Sequence, residues 1–405
     1  MQLPDYFEFM CPVKTGSGYR ALEHLPMDLA SLNARRPLIV TEKKSQDKGL
    51  IKHMTTAFKT SGLTLGVYDG VTEMSGLETV RELYSLYLDK GFDSIIALGG
   101  GNVMDVAKVL NIAVSGKPED LKGVAGVDLI PDMLKPLIYV PVSCGTGKET
   151  SGEATVEGLF FSSKFLMPSL AVIDPRMLKE EDPEKVVNTA MAALTYAAEG
   201  YACPDNNPFL TTYAQLAVDF VMNNLLDTVK NSLDEKGRLK ALIYEFKNKN
   251  TRIALVNAAC MAGYVYSNST LGLASKIAHA VSEYCDTEQG IILGILLPYV
   301  LEYHAHKKGR NLSKIFLPMA GIDLYCSTPL QQRFDSAMGK IRHLQNEVFT
   351  LTSSQIPRTL EDTKLSKSRL SDIAAKVVIE TNDGYDTAAC LMILEHAFDG
   401  KPVTP

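Results

Sequence analysis

The stretch that decides the fold is SIIALGGGNVMDVAK, residues 94–108. An apolar run typical of a buried strand leads through three glycines into a segment with the composition of a helix. Glycines let the backbone approach a ligand, and the N–H groups and dipole of a helix N-terminus favour a phosphate. The alternative is a plain glycine turn, but the Asn-x-x-Asp that follows favours the phosphate site. The pattern is neither a GxGxxG fingerprint nor a Walker loop, since no GK[ST] follows.

A second loop of small residues, PVSCGTGKETSGEATV at 141–156, follows the next strand-like run, LIYV. Its hydroxyl side chains could hydrogen-bond a nucleotide, and its glycines keep the loop thin. By itself this could be any polar loop. Two such loops after successive strands are more specific, because open α/β sheets bind ligands at the carboxyl ends of their strands.

The pattern of the whole chain changes near residue 183. Before it, short β-branched runs alternate with helical stretches, which predicts βαβ units and a parallel sheet. The predicted strands are 37–42, 64–70, 94–100, 137–143 and 169–174. After it, the predicted elements are helices at 184–202, 209–230, 251–267, 271–284, 291–305 and 330–350. We therefore predict an α/β dinucleotide-binding domain over 1–182 and an all-helical domain over 183–405.

The composition narrows the possible partners and compartments. A net charge of −6 in 405 residues gives no basic surface for nucleic acid or an anionic membrane. No apolar run reaches the ~18 residues that a membrane-spanning helix needs, and the opening residues lack a secretory signal pattern. The seven cysteines form no CxxC pair, which favours a reducing compartment. We expect a cytoplasmic protein with no nucleic-acid or membrane partner.

At this point the motifs resemble a known family. GGGNVMDVAK and PVSCGTGKE resemble the GGGSxxDxAK and PTTAGTGSE signatures of the iron-dependent (group III) alcohol dehydrogenases. The resemblance continues in order through PSLAVIDP (168–175), NPFLTTYAQLAVD (207–219) and the run at 266–300. It implies an α/β nucleotide-binding domain with a parallel sheet, followed by an all-helical domain, as in dehydroquinate synthase. It also implies NAD or NADP, a divalent metal that is usually iron, and a homodimer or larger assembly.

The resemblance assigns the cofactor contacts to residues of the two loops. The diphosphate would lie against the glycine turn, and the nicotinamide and ribose against hydroxyls of the second loop. The residues are Gly99, Gly100, Gly101 and Asn102, with Asp105 nearby, and then Ser143, Thr146 and Ser151.

The acidic residue that ends the PLIVTE run bears on the choice between NAD and NADP. Glu42 is at the position where the family often has a carboxylate, which accepts hydrogen bonds from the adenosine ribose and repels a 2′-phosphate. This favours NAD. The adjacent Lys43 and Lys44 could pair with a 2′-phosphate, so NADP stays possible.

The metal ligands of the family are missing from this chain. In the family they are an Asp and a His four residues apart, then two His fourteen residues apart. Aligned without gaps from Pro183, these positions fall on Ala192, Tyr196, Ser275 and Gln289. Alanine has no ligand atom, tyrosine would have to lose a proton from a pKa of about 10, and the other two are weak neutral oxygens. We predict no catalytic metal.

Two unusual residues could take over the polarisation of a carbonyl. Lys148 stands where the family has a serine, and Tyr196 where it has a metal-binding histidine. An ammonium beside a phenol lowers the pKa of the phenol and makes it a usable acid. Lys148 would supply charge, Tyr196 the proton, and His279, which matches a family histidine near the nicotinamide, would relay protons. Alternatively, Lys148 faces solvent or a cofactor phosphate, and Tyr196 only fills the vacated space.

The sequence thus predicts a metal-independent NAD(P)-dependent oxidoreductase. Hydride would pass between the nicotinamide and a small aldehyde, ketone or alcohol whose identity the residues leave open. One alternative is a catalytically silent, nucleotide-binding relative with a role in regulation or assembly. The other is a non-redox enzyme of the dehydroquinate synthase type.

Overall fold

A computed structural model describes residues 5–116, 121–179, 182–203, 206–233, 249–269, 272–309, 312–381 and 385–404. The chain forms two compact units. The first is Met10–Glu180, and the second combines Met1–Phe9 with Glu181–Pro405. The predicted domain bounds, 1–182 and 183–405, stay a prediction, since a domain is also defined by folding on its own.

The first unit is built on a parallel sheet. Its described strands are Lys14–Ser17 (β1), Pro37–Glu42 (β2), Gly66–Val71 (β3), Ser94–Gly99 (β4), Gly126–Val127 (β5), Leu137–Pro141 (β6), Glu153–Val156 (β7), Leu159–Ser162 (β8) and Leu170–Ile173 (β9). Six of them form one sheet in the order β1-β9-β6-β4-β2-β3, with every pair parallel. The predicted strands are confirmed, with bounds that differ by a few residues.

Helices cover the large sheet. They are Leu25–Ser31 (α1), Lys43–Asp47 (α2), Leu50–Ala57 (α3), Leu77–Lys90 (α4) and Gly101–Ser115 (α5). Every residue of β4 and β6 is buried, as expected for central strands of a parallel sheet that is packed on both faces. The apolar runs of the sequence therefore reflect burial on two sides.

A small second sheet, absent from the sequence-based prediction, fixes the far end of the second loop. The hairpin β7–β8 is antiparallel, and β5 pairs with β8. Glu157 and Gly158 turn the hairpin with positive φ angles of 52° and 76°, as in a tight two-residue turn. The Glu157 carboxylate also accepts a 3.0 Å hydrogen bond from the Leu77 N–H at the start of α4. The hairpin is thereby joined to the helical layer.

In the part of the second unit that the structure describes, the main secondary-structure elements are helices joined by loops. Its helices are Pro183–Ala202 (α6), Pro208–Ser232 (α7), Lys249–Ser267 (α8), Leu273–Ser282 (α9), Gln289–Glu302 (α10), Phe316–Ala320 (α11), Ile322–Ser327 (α12), Arg333–Leu351 (α13), Leu370–Thr381 (α14) and Thr387–Asp399 (α15). The six predicted helices are confirmed, and α11, α12, α14 and α15 are additions. Asp182 and Asn207 cap α6 and α7, each followed by a proline at the first helical position.

Close helix contacts define the centre of this unit. All residues of α10 except the first are buried, which is typical of a helix that is surrounded on all sides. A methyl group on Gly294 would lie 2.5 Å from Met191 Cε, and one on Gly200 would lie 2.1 Å from Val265 Cγ1. Glycine is therefore needed where α6 meets α10 and α8. No described helix is both long enough and apolar enough to cross a membrane.

Candidate functional site

The predicted cofactor residues gather at the carboxyl edge of the large sheet. Glu42 ends β2 and Gly99 ends β4, two strands that are neighbours in the sheet. Ser143 follows β6, which pairs with β4 on its other side. Parallel strands end at the same edge, so the structure brings Glu42, the glycine turn and the second loop to one side.

The glycine turn leads directly into α5. A methyl group on Gly99 would lie 2.5 Å from Val103 Cγ2, whereas one on Gly100 would meet nothing within 4 Å. The N-cap residue of α5 is Gly100, so no N-cap side chain covers the N-terminus of this helix. The Asn102 amide donates to the Thr72 carbonyl just after β3, so this side chain also ties two strand ends together. An open helix N-terminus beside thin backbone fits a diphosphate.

A buried carboxylate shapes the second loop. The Thr146 N–H donates to both oxygens of Glu149, at 2.9 and 3.2 Å. Gly145 and Gly147 have φ angles of 90° and 78°, a region that glycine adopts without strain. Burial raises the pKa of Glu149, and its contacts with backbone N–H groups oppose that shift. The loop is therefore held by an internal acceptor that the sequence-based prediction missed.

Lys108 on α5 ties the second loop to that helix. Its ammonium is buried and donates to the carbonyls of Ser151 at 2.7 Å, Glu153 at 2.9 Å and Lys148 at 3.3 Å. Burial lowers the pKa of Lys108 to about 7. The signal in the sequence was a lysine within a strongly apolar helix. We infer that Lys108 fixes the position of the loop relative to α5.

Lys148 lies over the glycine turn. Its ammonium forms an ion pair with the buried Asp105 carboxylate, and a methyl group on Gly101 would lie 3.7 Å from Lys148 Cε. Burial raises the pKa of Asp105, while the charges of Lys148 and Lys108 oppose that shift. A cation at a helix N-terminus opposes the helix dipole, so it needs a nearby anion. Asp105 is one such anion, and a cofactor phosphate would be another.

The hydroxyl residues of the second loop differ in exposure. Ser143 and Thr146 are half-buried, while Ser151 is buried and its carbonyl is one of the acceptors for Lys108. Thr146 Oγ1 also accepts from the Lys148 N–H at 3.3 Å. Glu42 is half-buried and starts the short helix α2 without a side-chain capping bond. These residues and the glycine turn together fit a dinucleotide.

The four aligned metal positions lie in the second unit. Ala192 and Tyr196 are one turn apart on α6, Ser275 is in the first turn of α9, and Gln289 begins α10. The Ser275 hydroxyl donates to Glu199 at 3.4 Å. Among the residues described, no three His, Cys, Asp or Glu side chains are grouped so that they could hold a metal ion. The donor set at these positions does not fit a divalent cation.

The predicted acid and relay residues have different surroundings. The Tyr196 ring packs against Tyr266 on α8, with ring centroids 4.7 Å apart. His279 lies one turn after Ser275 on α9, and its side chain is exposed. Tyr196 thus has an aromatic neighbour, while the His279 ring is exposed.

Two polar residues of α6, which the sequence-based prediction did not assign, contact the helices around these positions. The Glu199 carboxylate accepts from the Ala274 N–H of α9 at 2.8 Å, and burial raises the pKa of Glu199 to about 7. Asn188 Oδ1 accepts from the Gly290 N–H of α10 at 2.7 Å.

Comparisons with known proteins agree with this architecture. Residues 12–175 match the model of the iron-containing alcohol dehydrogenase family, and residues 186–389 match that of its C-terminal domain. The chain therefore belongs to the iron-containing alcohol dehydrogenase family. The predictions of family and of fold are confirmed.

Individual relatives are distant in sequence. Lactaldehyde reductase of Escherichia coli (strain K12) is 27% identical over 289 residues, covering 69% of this chain and 71% of that protein. The NAD-dependent methanol dehydrogenase of Bacillus methanolicus is 24% identical over 315 residues, covering 76% and 78%. The structure of the alcohol dehydrogenase from Oenococcus oeni superimposes with a TM-score of 0.81 at 22% identity, over 97% of this chain and 100% of that one. The roles of individual site residues stay predictions.

Proposed function

We propose that this chain transfers hydride between NAD(P) and a small aldehyde, ketone or alcohol without a divalent metal. Its family supports the oxidoreductase class, and the named relatives act on small alcohols and aldehydes. The observation that carries the metal-free part is the contrast between the loops and the aligned metal positions. The loops at the sheet edge fit a dinucleotide, while Ala192, Tyr196, Ser275 and Gln289 provide no carboxylate, imidazole or thiolate.

The residues of the first unit bind and orient the cofactor in this proposal. The glycine turn accepts the diphosphate at the N-terminus of α5, and Glu42 accepts from the adenosine ribose, which favours NAD. We assign Lys148 to the diphosphate rather than to the substrate carbonyl, because its side chain lies against Gly101 and pairs with Asp105. When bound, the reduced cofactor supplies the hydride.

The residues of the second unit handle the proton. Tyr196 donates it to the oxygen of the carbonyl as that oxygen gains charge, and His279 exchanges it with solvent. The Tyr196 ring packs against that of Tyr266, which restricts how the ring can turn. This role does not need an ion at the aligned positions.

Turnover in the presence of a chelator tests the proposal. Protein purified without added metal is titrated with NADH by fluorescence and then assayed with a panel of short aldehydes, with and without EDTA. We expect NADH binding, turnover of at least one aldehyde, and no loss with EDTA. Stoichiometric metal by elemental analysis, or turnover that EDTA abolishes, would contradict the metal-free part. NADH binding with no turnover on any aldehyde would favour a silent relative.

Two variants separate the roles of the cofactor and proton residues. Lys148→Ala should raise the KM for NADH by about tenfold, because one charge-assisted contact with the cofactor is lost, with little change in kcat. Tyr196→Phe should lower kcat by about a hundredfold, as expected for loss of a general acid, with little change in that KM. A fall of kcat alone in Lys148→Ala would restore the carbonyl role of this lysine.

We also propose a homodimer or larger assembly, which light scattering after size-exclusion chromatography would measure.

A further inference from the structure

Helix α6 caps two other helices from the side. Asn188 accepts from the Gly290 N–H in the first turn of α10, and Glu199 accepts from the Ala274 N–H in the first turn of α9. The N-cap residue of α9, Gly272, has no side chain that could cap the helix. The N-cap residue of α10, Glu288, makes no side-chain capping bond. The first turn of a helix has N–H groups without partners inside the helix. Here α6 supplies the acceptors.

Both contacts involve a glycine in or next to the first turn of the capped helix. A methyl group on Gly272 would lie 2.1 Å from Glu199 Cδ, and one on Gly290 would lie 2.0 Å from the Asn188 carbonyl oxygen. A side chain in place of Gly290 would collide with the α6 backbone, whereas one in place of Gly272 would displace the Glu199 carboxylate from its cap. Each cap therefore requires glycine at its own contact point.

The caps flank the four aligned metal positions. Asn188 and Glu199 are about three turns apart on one face of α6, and Ala192 and Tyr196 lie between them on that face. The other two positions, Ser275 and Gln289, are each adjacent in sequence to a capped N–H group. The same three helix segments thus carry the caps and the positions where the family has its ligands.

We propose that Asn188 and Glu199 are positioning residues that hold the first turns of α9 and α10 against α6, so that these helices are ordered without an ion. The inference rests on the proposed metal-independent function. A cap that is removed leaves a buried N–H without an acceptor, which destabilises that helix end. Glu199 is buried, and burial raises its pKa to about 7, so its role as a cap rests on the acceptor oxygen and not on a charge. In this arrangement the hydrogen bonds do what a bridging cation would otherwise do.

Hydrogen exchange tests the caps directly. We expect the Gly290 amide in Asn188→Ala to exchange about tenfold faster than in the unchanged protein. The same is expected of the Ala274 amide in Glu199→Ala, because each variant loses about one capping interaction. Asn188→Asp and Glu199→Gln keep an acceptor oxygen and should restore slow exchange. NADH affinity, measured by fluorescence, should stay unchanged in all four variants, since the cofactor residues belong to the other unit. Unchanged exchange in both alanine variants would overturn the proposal.

A restored metal site tests whether the caps preserve the register of the helices. The combined variant Ala192→Asp, Tyr196→His, Ser275→His, Gln289→His should bind one equivalent of Co²⁺ with the visible absorption of a four-coordinate ion. In the background of Asn188→Ala and Glu199→Ala, Co²⁺ affinity should fall by at least about tenfold. No Co²⁺ binding in the first variant, or equal affinity in both backgrounds, would overturn the proposal. Metal bound by the unchanged protein would instead contradict the proposed function, which elemental analysis detects separately.

Discussion

The glycine-turn edge of the first unit and the α6 face of the second unit differ in how they use charge. At the sheet edge, Lys108 and Glu149 are buried and hold the loops, while Lys148 and its partner Asp105 lie beside the predicted diphosphate. On α6, the one buried carboxylate, Glu199, is used to cap α9.

In our proposal, the two tasks of the fold have diverged separately. The predicted cofactor site depends on backbone shape and on a few buried charges at the sheet edge. None of the four residues aligned with the predicted metal positions is a carboxylate, imidazole or thiolate, although the helices that carry them are present. Function is thus carried by the sites and not by the fold as a whole.

Removal of the buried Lys108 should have the largest effect on stability and on NADH affinity. Lys108→Met takes away three donors to loop carbonyls, so we expect a loss of about 3 kcal/mol or more in the free energy of unfolding and a large drop in NADH affinity. Urea denaturation and NADH fluorescence measure the two. Lys122→Met, at an exposed lysine of the same unit, is the control. Normal NADH affinity in Lys108→Met would show that the loop holds its shape without this contact.

Two neighbouring glycines should respond differently to the same change. Gly99→Ala forces a methyl group against Val103 and should cost about 1–3 kcal/mol of stability. Gly100→Ala meets open space, so we expect unchanged stability but weaker NADH binding, because the methyl group points where thin backbone is needed. Thermal unfolding and NADH titration of both variants provide the comparison. Full NADH affinity in Gly100→Ala would argue against a diphosphate at this turn.

The carboxyl group of Glu199 should make the stability of the second unit depend on pH. Its pKa is raised from 4.5 to about 7, so in this range the folded protein keeps a proton that the unfolded chain has released. Stability should therefore fall as the pH rises from 4.5 to about 7 and then level off. Glu199→Gln should remove this slope and be more stable above pH 7 by on the order of 3 kcal/mol. Parallel slopes for both proteins would contradict the assignment.

The smallest effect is expected on the ratio of NADPH to NADH affinity. Glu42→Ala removes a negative charge from the end of β2, and a charge contact in water contributes about 1 kcal/mol. We expect the ratio of NADPH to NADH affinity to rise by about fivefold. Lys44→Ala is the matched control and should lower the ratio if this lysine meets a 2′-phosphate. No shift in either variant would place the ribose elsewhere.

The architecture and one edge of the site were readable from local patterns. β4 and the glycine turn follow from an apolar run and three glycines, because strand burial and turn geometry depend on neighbouring residues. The four aligned ligand positions came from the family resemblance and from an alignment without gaps from Pro183, and they stay a prediction. In contrast, the short strands of the small sheet were missed, since two to four residues leave no periodic signal.

Only the tertiary structure decided which partners the polar residues have. Lys108 meets carbonyls about forty residues away, Glu199 meets an N–H group 75 residues away, and Asn188 meets one 102 residues away. The sequence determined that these residues lie on helices, because the helical period is local. It could not determine which loop or helix end lies opposite them, because that depends on how the elements pack, and the packing depends on the whole core.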